Sequence, residues 1–152
     1  MVLNLTKDFD CLMLHAVKKL TEDGPVMRVN YLHGLDTEIA KSENKKTLDS
    51  LLKDGANIYA IWIRKHGLKK WHLMYIGQRK SSSVKVRLCQ HLFKKDEKTG
   101  SQLSHVKEAL KYNNEIGISV IRVHPDELRT SVEERLINLM KSKGHCPWNI
   151  HS

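Results

Sequence analysis

The chain has no apolar run long enough to cross a membrane, so no membrane-spanning helix is expected. Its start, Met1 to Asp10, has no apolar stretch behind a basic one. No secretory signal is expected, and the protein reads as intracellular, cytoplasmic or nucleoid-associated. Cysteine is scarce: Cys11, Cys89 and Cys146 form no CxxC pair. That excludes a disulfide-stapled scaffold and leaves free thiols in a reducing compartment. Cys89, His91, His145 and Cys146 make a zinc set on paper, at spacings no compact finger uses. The most informative absence is local. From Gly55 to Lys95 there is no acidic residue, while Arg64, Lys65, Lys69, Lys70, Arg79, Lys80, Lys85, Arg87, Lys94 and Lys95 all fall there.

The whole chain carries 26 Lys and Arg against 17 Asp and Glu, a net charge of +9. Such a surface favours polyanions: nucleic acid, anionic membrane or acidic proteins. The acid-free strip runs through two predicted strands and a helix, which suits a phosphate-binding face. The plainer alternative is solvated loop lysines, above all at Lys69, Lys70, Lys94 and Lys95.

A length of 152 residues, 40% of them hydrophobic, predicts one ordinary domain with a real core. Apolar residues at Phe9, Leu12, Met13, Ala16, Val17 and Leu20 recur at helical spacing. Gly24-Pro25 breaks the chain. Residues 26–32 read as a short strand or a turn-rich link. Residues 37–52 read as a second helix, ended by Gly55. These two helices alone suggest either a helix-turn-helix reader or a helical layer packed on a sheet.

Strands are predicted over 57–64 and 71–76, joined through His66-Gly67 as an antiparallel hairpin. A helix over 84–93 follows, with Ser81 to Ser83 available as its N-cap. An exposed loop over 94–100 leads to a helix over 102–112. A third strand spans 116–123, and Pro125 opens a helix running to about Lys141 with Asp126 and Glu127 at its N-terminus. This order predicts an α/β (α+β) fold: a small three-stranded antiparallel or mixed sheet flanked by helices. Residues 1–56 form an N-terminal helical extension packed on a core over 57–149, and 150–152 are a tail. Trp62, Trp71 and Trp148 read as core, although one of them is able to stack a base.

Five features in order resemble the GIY-YIG nuclease family. Asn57-Ile58-Tyr59 stands for the first motif, with Asn in place of the leading Gly, and Tyr75-Ile76-Gly77 matches the second. Arg87 and His91 follow on the next helix, Glu133 precedes Leu136-Ile137, and Pro147-Trp148-Asn149 closes the core. The resemblance covers roughly residues 57–149. Asn tolerates unusual backbone angles, so Asn57 is expected to keep the geometry of the missing glycine.

The resemblance implies hydrolysis of a nucleic-acid phosphodiester, which needs an activated water, neutralised phosphoryl oxygens and help for the leaving 3′ oxygen. Tyr59 is the candidate general base, directly or through a relayed proton. A free tyrosine has a pKa of about 10, so nearby positive charge or metal must hold its phenolate. Tyr75 orients the water or contacts phosphate. Arg87 offers planar donors to the scissile phosphate. His91, one turn away, shuttles a proton or hydrogen-bonds Tyr59 or the phosphate. Glu133 is the candidate ligand of a single Mg²⁺ (or Mn²⁺), with Glu134 as its competitor. Asn149 ties the tail over the site, Gly77 lets the backbone turn beside phosphate, and Arg79, Lys80 and Lys85 position substrate.

The expected function is thus a metal-dependent DNA endonuclease of restriction, mobile-element or repair type, acting on double-stranded DNA and away from membranes. A homodimer would double its contacts and cut both strands. The alternatives are a non-catalytic nucleic-acid-binding domain on the same scaffold, an RNA-directed nuclease, and a protein-interaction domain with an incidental basic face.

Overall fold

A computed structural model describes residues 1–22, 25–94 and 100–150. Gly24 of the expected break, Lys95 of the basic strip, most of the 94–100 loop and the last two residues of the expected tail lie outside the described residues.

Strand β2, Ile58–Lys65, is the centre of the molecule. It pairs antiparallel with β3, His72–Gln78, on one side and with β4, Asn114–Ile121, on the other. Ile58 through Trp62 are all buried, because both faces of the strand are covered. Tyr59 and Ile61 point into one helical layer, while Ile58, Ala60 and Trp62 point into the other, as period-two alternation requires.

Among the described residues the sheet has four strands, in the order β1-β4-β2-β3, and every pairing is antiparallel. The strand beyond the expected three is β1, Met27–Val29, which pairs Arg28 with Gly117 on β4. Three residues are too few to show periodicity, which is why strand and link were equally good readings of this stretch.

Helix α1, Thr6–Val17, ends in one π-helical turn, Lys18–Glu22, and buries Met13, Ala16, Val17 and Leu20. It packs against α6, Arg129–Ser142, on the face of Ile58 and Trp62. The other face carries α2, Thr37–Glu43, α3, Lys45–Leu52, α4, Ser81–Leu92, and α5, Leu103–Lys111. The single helix expected over 37–52 is broken at Asn44. Its buried Nδ2 donates to the Ala40 and Asn30 carbonyls and its Oδ1 accepts from the Asn30 N–H, a side-chain competition with the helix ladder. Helix α4 starts earlier than expected: Ser81 to Ser83 form its first turn and Lys80 precedes it, without a side-chain cap.

The end of the chain does not fray. The Cys146 and Trp148 N–H groups donate to the Leu73 and Met74 carbonyls, both at 3.0 Å. The segment thereby covers the outer edge of β3, which would otherwise expose unpaired backbone groups. Among the described residues no helix is long and apolar enough to cross a membrane.

Candidate active site

A cavity of about 610 Å³ opens at the covered edge of β3, between the two helical layers. Tyr75 and Ile76 come from β3 and Arg87 from α4. Gln102, Ser104 and His105 belong to the start of α5. Glu133, Glu134 and Ile137 lie on α6, and Trp148 and Asn149 on the closing segment. Residues 73 positions apart meet because the Asn149 side chain doubles as a backbone unit: its Oδ1 accepts from the Ile76 N–H and its Nδ2 donates to the Ile76 carbonyl, each at 2.9 Å. Asn149 is itself buried.

Behind Tyr75 lie two buried rings. Tyr59 and His91 pack against Tyr75 with centroids 6.3 and 5.2 Å away. The Tyr59 hydroxyl is 2.9 Å from His91 Nε2. The roles in that hydrogen bond follow from the other ring nitrogen, because His91 Nδ1 accepts the Gln102 backbone N–H at 2.9 Å. Burial first, then the charges of Arg87 and Arg79, push the His91 pKa down to about 3. A neutral imidazole with an accepting Nδ1 carries its proton on Nε2. His91 therefore donates to Tyr59, and in this arrangement it is a donor rather than a proton shuttle.

Tyr59 is fully buried, and burial and Tyr75 raise its pKa more than Arg87 and Arg79 lower it. The positive charge expected to hold a Tyr59 phenolate is present but is outweighed. Tyr75, half-buried and facing the cavity, is also raised by burial and by Glu133; Arg87, Arg79 and the neighbouring Tyr59 act in the opposite direction.

Arg87 is held in place by donation from Nη1 to Gln90 Oε1 at 3.0 Å and from Nη2 to the Gly100 carbonyl. Its Nε is buried without a hydrogen-bond partner among the described residues, a costly state for a charged donor. Arg79 is exposed, and its charge reaches Tyr59, Tyr75, His91 and Glu133.

Gly77 is not at a turn. It sits inside β3 opposite Tyr59, and a Cβ there would come within 2.5 Å of the Tyr59 hydroxyl and ring. Within the fold it makes room for the phenol. Asn57 likewise does not use a positive φ. Its Nδ2 donates to the Val123 carbonyl and its Oδ1 accepts from the Val123 N–H, both at 2.8 Å. The amide thus joins the entry of β2 to the exit of β4, a link that glycine has no atoms to make.

The basic strip does not form one face. Lys85 is turned to α3, where it pairs with Asp49, so it stands away from the cavity. Lys94 pairs with Glu38 at 3.2 Å, and Arg64 pairs with Glu115 at 2.7 Å. Lys80 is exposed ahead of α4 and does not line the cavity. The acids that neutralise the strip come from elsewhere in the chain. Of the four residues weighed as zinc ligands, Cys89 and Cys146 lie in opposite core layers, so they form no site.

Glu133 and Glu134 both line the cavity, but Glu133 is half-buried and Glu134 exposed. Burial raises the Glu133 pKa to about 7, Arg79 pulls it down and Glu134 raises it. No ion pair to Glu133 forms among the described residues. Nor does any cluster of three or more His, Cys, Asp or Glu. A hard carboxylate with one carboxylate neighbour would, once ionised, fit a magnesium-like cation that keeps most of its waters and adds substrate oxygens. It does not fit a preformed multi-ligand cage.

Residue patterns did not reveal Gln102 and His105. The Gln102 N–H is free for His91 because Gln102 immediately precedes α5, and the first N–H groups of any helix lack internal partners. A helix starting near 102 is visible in the sequence, but the arrival of His91 at its end is a tertiary fact.

The fold is a small antiparallel α/β domain with a cavity of mixed polar and apolar lining at a covered sheet edge. Comparisons with family models, curated proteins and solved structures returned no match for the chain.

Proposed function

We propose that the chain is a metal-dependent DNA endonuclease of the GIY-YIG type. The observation that carries this reading is that Tyr75, Arg87 and Glu133, from three separate elements, line one cavity with the Tyr59–His91 pair behind them. Arg87 brings a guanidinium to the cavity wall, a planar donor group suited to a phosphoryl oxygen. Glu133, with Glu134 beside it, would hold Mg²⁺ or Mn²⁺. When bound, such an ion supplies neutralisation of phosphoryl charge.

In the reaction, a water oxygen bonds to phosphorus, the bond from phosphorus to the 3′ oxygen breaks, the water's proton leaves to a base, and the departing 3′ oxygen takes a proton from solvent. Tyr75 faces the cavity and receives that proton. Burial opposes the Tyr75 phenolate most, Arg87 and Arg79 favour it, and an ion held at Glu133 would offset the carboxylate charge that disfavours it. Tyr59 acts one step back. Its oxygen is occupied by the His91 N–H, so its own proton is free to support Tyr75. In this arrangement Tyr75 is the base and Tyr59 its hydrogen-bond donor, which differs from the expected attack with Tyr59 as base.

Cleavage of labelled duplex DNA, branched DNA and RNA, side by side in Mg²⁺ and in Mn²⁺, tests the reading. Metal-dependent scission of DNA is the expected result. Binding without scission in either metal means a non-catalytic module, and scission confined to RNA moves the substrate class.

A further inference from the structure

The three tryptophans have different settings. Trp62 donates its Nε1–H to Ser119 Oγ at 2.8 Å inside the core. Trp71 lies under Arg64, whose guanidinium carbon is 4.3 Å from the ring centroid. Trp148 is stacked with His105, centroids 5.1 Å apart and planes at 17°. Only this third pair has both of its rings lining the cavity that holds Arg87 and Glu133. Trp148 is buried and His105 half-buried, so His105 is the more accessible ring of the pair.

A second observation belongs to the same turn of chain. Gln102 also lines the cavity, and its Oε1 is buried with no hydrogen-bond partner among the described residues. Buried acceptors are normally satisfied, and the edge of a nucleobase carries N–H donors. The volume of about 610 Å³ falls within the range of roughly 300–1,000 Å³ in which small-molecule groups are enclosed.

We infer that the His105–Trp148 stack is a platform for an unpaired nucleobase adjoining the phosphate at Arg87, with Gln102 Oε1 accepting from the base edge. This rests on the DNA-nuclease reading above and names the substrate structure within it. A paired base has both faces covered by its neighbours and cannot present one to a ring recessed between helices. A base out of the stack can, and aromatic platforms take such bases with little regard to sequence. The protein therefore prefers DNA with an unpaired base at the cleavage position over a fully paired duplex.

The test is fluorescence anisotropy of the full chain in EDTA, with two labelled duplexes. One carries a single-base bulge, and the other carries an abasic residue at the same place. Wild-type protein binds the base-containing bulge about fivefold or more tighter. His105→Ala loses that preference, and His105→Phe, which restores a flat ring, keeps it. Equal affinity of the wild type for both duplexes, or a preference undiminished in His105→Ala, overturns the platform. Adding Mg²⁺ to the same mixtures reads the other question. A base preference without cleavage supports the platform and removes only the nuclease reading, whereas cleavage without a base preference does the reverse.

Discussion

Tyr59 lies across Gly77: the two are paired on adjacent strands, and a Cβ on Gly77 would meet the phenol at 2.5 Å. One methyl group there must push the Tyr59 ring away from His91 Nε2. Gly77→Ala should therefore cost about 1–3 kcal/mol by overpacking, measured by urea unfolding. It should also depress DNA cleavage beyond what that lost stability explains. A Gly77→Ala protein of unchanged stability would show that the ring has another place to go.

Asn57 makes the opposite point. Returning it to the glycine of the resembled motif removes both hydrogen bonds to Val123 and leaves a buried N–H and carbonyl unpaired. Each such group costs about 1–3 kcal/mol. Asn57→Gly should lower stability by about 2 kcal/mol or more in urea titration, while Asn57→Asp should also destabilise because it loses the Nδ2 donor. A neutral Asn57→Gly would mean that water replaces the amide.

His91 gives the protein a pH dependence of known sign. Its pKa is 6.5 in the unfolded reference and about 3 in the fold. The unfolded chain thus binds a proton below about pH 6 that the native state refuses. Stability is lost as pH falls from 6.5 toward 3, by about 1.4 kcal/mol per unit at most from this group. His91→Gln cannot take up that proton and should have a shallower acid limb in pH-dependent unfolding. An unchanged limb would place the acid sensitivity elsewhere.

Arg87 and Lys85 stand two residues apart on α4 and face different ways. Lys85 pairs with Asp49 on α3, whereas Arg87 lines the cavity. Lys85→Ala should leave cleavage within about threefold of wild type, as fits loss of an exposed ion pair. Arg87→Ala should lower cleavage by about a hundredfold or more. Arg87→Lys should restore little of it, since an ammonium lacks the planar donor pair. Initial cleavage rates at matched DNA occupancy check all three.

The strands, the hairpin and most helices were legible because apolar residues mark them at periods of two or about three and a half. Strand β1 was only half legible, because three residues carry no period. The break at Asn44 was not, because it depends on Asn30, fourteen residues away. At the site, helical spacing was enough to put Arg87 and His91 on one face of α4. The ionisation of the tyrosines was not legible. The acid-free strip suggested a positive field, while the structure sends Lys85, Lys94 and Arg64 to distant carboxylates and buries Tyr59. Charge counted along a chain does not report which charges share a cavity.

Cleavage of a DNA duplex by wild-type, Glu133→Gln and Arg87→Ala proteins, with Mg²⁺ and again with EDTA, tests the central claim most directly. Strand scission by the wild type in Mg²⁺ alone is predicted, together with its loss in both variants while the unfolding transitions remain cooperative. Scission that persists in EDTA or in Glu133→Gln, or a folded wild-type protein that binds DNA and never cuts it, would contradict the claim.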